Sequence, residues 1–154
     1  MFSGKKLSYW NNKVVLITGA SSGIGRGLAV QLARRGARLG LVARRASVLD
    51  EVIAEIQDAG GKAEPIIADV QDADALKSGA QRLAEVFGPI DILVANAGVG
   101  TTTHASKLEP SEVERILQIN VVAQPTVLLL CYPICCRGAA VISLRLRAWP
   151  RIAE

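Results

Sequence analysis

The chain has 154 residues, 50% hydrophobic and 21% charged. That is enough for one domain with a core, and it excludes a disordered or fibrous protein. Net charge is +4, with the basic residues scattered along the chain, so no nucleic-acid footprint is indicated.

Residues 1–12 read as a tail without the apolar core of a secretory signal. "KVVLIT", Lys13–Thr18, is a β-branched run and predicts a buried strand. A helix follows, with Ile24, Leu28 and Leu32 on one side and Gly36 at its end. "RLGLVA", Arg38–Ala43, predicts the second strand. Ser47 is the expected N-cap of the next helix, whose apolar stripe is Val48, Leu49, Val52, Ile53 and Ile56 up to Gly60. "AEPIIAD" holds a third strand. Asp72 opens a third helix with Leu76, Leu83, Val86 and Phe87 inward, stopped by Gly88 and Pro89. "IDILVANAG", Ile90–Gly98, is a fourth strand and a glycine turn. Ser111 and Glu114 form a capping box for a helix carrying Val113, Ile116, Leu117 and Asn120. Pro125 removes a backbone donor and is expected to break that helix. "AAVIS", Ala139–Ser143, reads as a fifth strand.

Strands alternating with helices imply crossover connections and a parallel α/β sheet. Residues 13–154 are expected to form one such domain, incomplete at its C-terminus and truncated after about five strands. Ala139–Ser143 would then be an exposed edge, and marginal stability or poor solubility is expected.

Three cysteines, Cys131, Cys135 and Cys136, fall in one apolar segment, and His104 is the sole histidine. Adjacent cysteines cannot form a relaxed disulfide, and the set lacks the ligand number and spacing of a zinc site. Free thiols in a reducing compartment are the reading. The longest apolar stretch, Val121–Cys136, is interrupted by Gln124, Pro125 and Pro133 and is too short to span a bilayer. A soluble cytoplasmic protein with no metal is expected.

"TGASSGIG", Thr18–Gly25, stands where the first strand hands over to the first helix. In a parallel sheet, ligands sit beyond the carboxyl ends of the strands, where the strand order reverses. A helix N-terminus there offers unpaired N–H groups and partial positive charge to a phosphate. Glycine lets the backbone approach, and Ser21 and Ser22 add hydroxyl donors. The spacing Gly19-xxx-Gly23-x-Gly25 differs from the common G-x-G-x-x-G, but its strand-to-helix context is the required one.

"TGASSGIG" resembles the cofactor motif of the short-chain dehydrogenases/reductases. "NAG", Asn96–Gly98, is similar to that family's second motif. "ADV", Ala68–Val70, resembles the segment that holds the adenine ring, and "IN", Ile119–Asn120, the mid-helix asparagine. Each has a plainer meaning alone: Asn96 could cap a turn, and Asp69 could be a solvated strand-end carboxylate. Together, in order over Lys13–Val122, they imply a Rossmann-type doubly wound sheet. The implied cofactor site comprises Thr18, Gly19, Ser21, Ser22, Gly23, Ile24, Gly25, Asp69, Val70, Asn96, Ala97 and Gly98.

A carboxylate at the end of the second strand would bind the ribose 2′-hydroxyl and favour NAD. Here Arg44 and Arg45 follow Ala43, with no carboxylate before Asp50. An arginine suits a 2′-phosphate, because its planar fork donates to an anion. NADP(H) is expected to be preferred over NAD(H), with Arg44 as the main contact. The plainer alternative is that both arginines are solvated loop charges.

The resemblance implies hydride transfer between nicotinamide and a small alcohol/carbonyl substrate. The family's proton partner is a tyrosine, with a lysine four residues later and a serine upstream. An ammonium beside a phenol favours the phenolate and so lowers a pKa that is ordinarily about 10. Here Cys136 stands four residues after Tyr132, and no lysine follows Lys107. The other tyrosine, Tyr9, precedes the first strand, so the chain as written is expected to lack the catalytic Tyr-x-x-x-Lys pair. Leu146–Glu154 resembles the loop before the family tyrosine. Ser143 falls where the family serine is expected, and Asn120 matches the asparagine of a proton relay. "QPTVLLLCYPICCRG" departs from the amphipathic helix that packs on a second subunit, which leaves a homo-oligomer open and in doubt.

Two readings follow: an NADP(H)-dependent short-chain oxidoreductase represented by its cofactor half, and a non-catalytic dinucleotide-binding module. A sugar-nucleotide epimerase or dehydratase is disfavoured by "ASSGIG" and needs the same pair. A methyltransferase is disfavoured by Arg44 and Arg45. His104, in the Val99–Pro110 loop, receives no role.

Overall fold

The computed structural model describes residues 9–143. Five strands carry the fold: β1 (Val14–Thr18), β2 (Arg38–Ala43), β3 (Lys62–Ile67), β4 (Ile90–Ala95) and β5 (Cys135–Ser143). The helices between them are α1 (Gly23–Arg34), α2 (Ala46–Asp58), α3 (Ala73–Phe87), α4 (Pro110–Leu117) and α5 (Gln124–Cys131). All pairings are parallel, in the order β3-β2-β1-β4-β5. The chain winds outward from β1 to β3, then crosses back to begin β4 on the other side of β1. That reversal is the switch point at which such sheets bind ligands.

Alternation along β1 builds two cores. Val15 and Ile17 face α1 and α2, meeting Ala29, Leu32, Leu49, Val52 and Ile56. Val14 and Leu16 face the other way, meeting Leu76, Ala80 and Leu83 of α3 and Val127 and Cys131 of α5. Side chains of successive strand residues point to opposite faces, so one apolar run serves both layers. Burying each Leu or Ile contributes about 1.5–3 kcal/mol. This is the doubly wound α/β arrangement expected from the sequence. Before β1, Trp10 packs against the first core, and Asn12 N–H donates to Gly36 O at 2.8 Å. Gly36 has φ +89°, the left-handed conformation that ends α1.

Several local expectations are corrected. Helix α2 begins at Ala46 with Arg45 at the cap position and no side-chain cap, so Ser47 lies inside its first turn. Its buried line runs through Leu49, Val52, Ile53 and Ile56, and the start lies one residue before the expected cap. Helix α4 begins at Pro110 with Glu109 at the cap position, so Ser111 and Glu114 do not form the capping box. Proline at the first position presets the helical φ and takes precedence there. Val86 is exposed, because the inward line of α3 runs through Leu76, Ala80 and Leu83 to the half-buried Phe87.

Pro125 does not end the helix. A π-helical turn, Gln118–Ala123, follows α4, and α5 then continues through Pro125 to Cys131. The proline falls in the first turn of α5, at the change of helix type, where an i→i−4 donor is dispensable. Thr126 Oγ1 donates to Val122 O at 2.9 Å and satisfies one carbonyl of the junction. Strand β5 starts at Cys135 rather than Ala139, with an irregularity opposite Ile90–Ile92.

Candidate functional site

A cleft of about 670 Å³ opens at the carboxyl ends of the strands, over the N-terminus of α1. Of the residues expected from the sequence, Gly19, Ser21, Ser22, Ile24, Gly25, Arg44, Arg45, Asp69, Val70, Asn96, Ala97, Gly98 and Asn120 line it.

Thr18 does not line the cleft but fixes its floor. It is 1% exposed, and its Oγ1 accepts the backbone N–H groups of Asn96 and Ala97, both at 3.0 Å. Asn96 Nδ2 also donates, to Thr18 O at 2.9 Å and Gly19 O at 3.3 Å. The end of β4 and the turn after β1 are therefore joined by four hydrogen bonds. The close approach dictates glycine. A Cβ on Gly19 would stand 2.8 Å from Ala97 Cα, and one on Gly25 would collide with Gly19 O and the Asn96 amide. Gly23 is different: a Cβ there meets nothing, and its φ of +54° is the reason for glycine.

Ser22 is the N-cap of α1, yet its side chain makes no capping hydrogen bond. No acidic residue occupies the first turn of the helix. This end of α1 thus keeps its partial positive charge and presents Ser21 and Ser22 to the cleft. Ile24 is 54% exposed beside them, which departs from the inward stripe but agrees with its place in the cleft.

On the β2 side, Arg44 Nη1 lies 3.5 Å from Asp69 Oδ2. Asp69 also accepts the N–H of Gln71 at 3.0 Å, which holds the bend after β3. Arg45 is exposed on the same rim. On the β4 side, Asn120 Oδ1 accepts Val99 N–H at 2.9 Å and its Nδ2 donates to Val99 O at 2.8 Å. Both halves of the amide are thus engaged by the loop. Sequence reading gave no place to Gln124, whose Nε2 donates to Ala97 O at 3.2 Å. The signal was present: Gln124 lies four residues after Asn120, which is the spacing of one helix face.

Ser143 stands opposite Ala95 in the β4–β5 register, at the same end of the sheet as the cleft. Leu146–Glu154 lies outside the described residues. His104 shares a hydrogen bond with Ser106 Oγ at 2.9 Å and is not part of the cleft lining. Among the described residues, no group of His, Cys, Asp and Glu is arranged to hold a metal, and no helix is long and apolar enough to cross a membrane.

The donors fit a dinucleotide. A helix N-terminus free of acidic side chains and two hydroxyls can hold phosphates, with two guanidinium groups to one side. A family model for short chain dehydrogenases matches residues 13–141. An uncharacterized oxidoreductase of Myxococcus xanthus is 43% identical over 121 residues, covering 79% of this chain and 48% of that protein. A short chain dehydrogenase of Burkholderia cenocepacia, solved in complex with NADP, superposes with TM-score 0.78 at 32% identity, covering 87% of this chain and 55% of that one. Carveol dehydrogenase of Mycobacterium avium, solved in complex with NAD, gives TM-score 0.79 at 28% identity, covering 86% of this chain and 54% of that one. This chain therefore spans about half the length of these similar proteins. With the glycine turn at the switch point and the match from Lys13 onward, the chain belongs to the short chain dehydrogenase family.

Proposed function

We propose that these residues form the cofactor half of a nicotinamide-dependent oxidoreductase acting on a small alcohol/carbonyl substrate, with NADP(H) preferred over NAD(H). The observation that carries the reading is the glycine turn and α1 N-terminus at the switch point, flanked by Arg44 and Arg45. Ser21, Ser22 and the first turn of α1 would hold the pyrophosphate. Arg44 and Arg45 would meet the 2′-phosphate, and Asp69 and Val70 the adenine side. Asn96, Ala97, Gly98 and Asn120 would form the wall toward the nicotinamide. The bound cofactor supplies or accepts the hydride; the residues of this chain bind and orient it.

Proton transfer is the second need of such a reaction. Ser143 at the end of β5 and Asn120 are the residues we assign to that side of the site. The one tyrosine with a lysine four positions later, Tyr9 with Lys13, precedes β1 at the opposite end of the strands from the cleft, and Cys136 stands four residues after Tyr132. This favours a second reading for these residues by themselves: a dinucleotide-binding module that binds without turnover. We further read the protein as cytoplasmic, since a reducing compartment suits a cysteine packed in the core, as Cys131 is. Val113, Leu117 and Val121, four residues apart and all exposed, offer a surface for a homo-oligomer.

The test is a titration of NADPH and NADH by fluorescence against wild type and Arg44→Ala. A charge-assisted hydrogen bond is worth about 1.5–3 kcal/mol, or roughly 10- to 100-fold, with exposure reducing it toward the lower figure. Arg44→Ala should therefore shift the affinity ratio about tenfold toward NADH. An unchanged ratio overturns the NADP(H) preference, and no binding of either overturns the dinucleotide reading. Turnover of ketones by the same sample would exclude the module reading.

A further inference from the structure

We propose that Gln124 is a positioning residue for the nicotinamide half of the cofactor, acting through the Ala97–Val99 backbone. This rests on the dinucleotide reading above.

The strand order sets the direction of the cleft. Arg44 and Arg45 follow β2 on one side of β1, and Ala97–Val99 follow β4 on the other. With phosphates at the central α1 N-terminus and a 2′-phosphate at the arginines, the remaining half of the dinucleotide must lie along Ala97–Val99. That segment has no regular secondary structure, so its shape depends on what holds its peptide groups.

Two amides on one helix side hold it. Asn120 takes both the N–H and the carbonyl of Val99, and Gln124, half-buried and lining the cleft, takes the carbonyl of Ala97. Gly98 lies between, where a Cβ would stand 3.3 Å from Asn120 Oδ1. The Asn96 amide fastens the start of the segment to the turn after β1. Without Gln124, the Ala97 peptide loses its tie to the helix while its ends stay fixed. A donor is required there: a carboxylate would face the Ala97 carbonyl with like partial charge.

The experiment measures binding of NADPH and of 2′,5′-ADP to wild type and to Gln124→Leu by calorimetry. 2′,5′-ADP carries the adenosine and 2′-phosphate but no nicotinamide. The expected result is a loss of NADPH affinity of about 5- to 10-fold, the worth of one hydrogen bond, with 2′,5′-ADP unchanged within about twofold. Equal weakening of both ligands would mean a general structural role and overturns the proposal, as does no change in either. If Gln124→Leu does not fold, Gln124→Glu is read by the same criterion. If neither folds, hydrogen exchange in wild type decides: NADPH but not 2′,5′-ADP should slow exchange at residues 97–99, and equal protection overturns the proposal. Should NADH be the tighter ligand, NADH and ADP replace the pair. Wild type that binds none of these ligands overturns the dinucleotide reading instead.

Discussion

Asn96 donates to Thr18 twice: its Nδ2 to Thr18 O at 2.9 Å and its backbone N–H to Thr18 Oγ1 at 3.0 Å. Thr18 Oγ1 also accepts the Ala97 N–H, so one buried hydroxyl oxygen serves two peptide donors. Thr18→Val keeps the shape and leaves both donors without that acceptor. A buried donor left unsatisfied costs about 1–3 kcal/mol. Thr18→Val should lower the urea midpoint accordingly, and Thr18→Ser should recover most of it. A Thr18→Val midpoint equal to wild type would show that the hydroxyl is not what joins β1 to β4.

Gly25 and Gly27 lie on the same helix and should respond in opposite directions to alanine. At Gly25 the new Cβ would strike Gly19 O and the Asn96 amide, both held by the network just described. Overpacking of this kind costs about 1–3 kcal/mol, and the displaced turn should also weaken NADPH binding. At Gly27 a Cβ meets nothing within 4 Å, and the residue is exposed. Alanine there gains about 1 kcal/mol of helix propensity. Paired melts of Gly25→Ala and Gly27→Ala check this, and the same sign for both would refute it.

Much of this was legible because short-range rules decide it. The runs "KVVLIT" and "RLGLVA" became β1 and β2, and the glycines at 36, 60 and 88 end α1, α2 and α3 with positive φ. Asp72 caps α3, accepting from Ala75 N at 3.0 Å. The glycine turn was legible because backbone crowding leaves few alternatives. The errors lie where packing or chain path outweighs a local preference. Ser47 and Ser111 are good caps, but α2 already begins at Ala46 and Pro110 presets the start of α4. Pro125 breaks an ideal α-helix, but it sits beside a π turn that no periodicity in "QINVVAQP" announces. Gln124 was overlooked because a polar residue near a proline reads as a breaker until Ala97 is seen against it.

Asp91 should matter more than its partner Lys13. Its carboxylate accepts from Lys13 Nζ at 2.8 Å and from the Val14 N–H at 2.9 Å, bringing the start of β4 to the start of β1. The lysine side chain is 37% exposed and the aspartate 22%. Exposed ion pairs contribute about 0–1 kcal/mol, so Lys13→Met should change stability by less than about 1 kcal/mol. Asp91→Ala also removes the acceptor of a partly buried backbone donor, and about 1–3 kcal/mol is expected. A double-mutant cycle separates the two contributions. If Asp91→Ala costs no more than Lys13→Met, the Val14 hydrogen bond contributes nothing measurable.

The pair at the far end of the cleft gives the last prediction. Arg44 Nη1 is 3.5 Å from Asp69 Oδ2, a long contact between side chains that are 63% and 33% exposed. Such a pair is weak and screened by salt, so it guides Arg44 without locking it. On the proposed reading, Asp69 opposes the 2′-phosphate in two ways: it partly neutralises Arg44 and adds negative charge nearby. Asp69→Asn removes that charge while its side-chain oxygen can still accept the Gln71 N–H that shapes the bend. The NADPH to NADH affinity ratio should then rise by about two- to fivefold at low salt, and by less at high salt, where the Debye length is only about 3 Å at 1 M. Arg44→Ala should move the same ratio the other way, and in that background Asp69→Asn should retain only its direct share. If Asp69→Asn lowers the ratio instead, the carboxylate acts by holding Arg44 in place, and orientation rather than charge would govern discrimination at this end of the cleft.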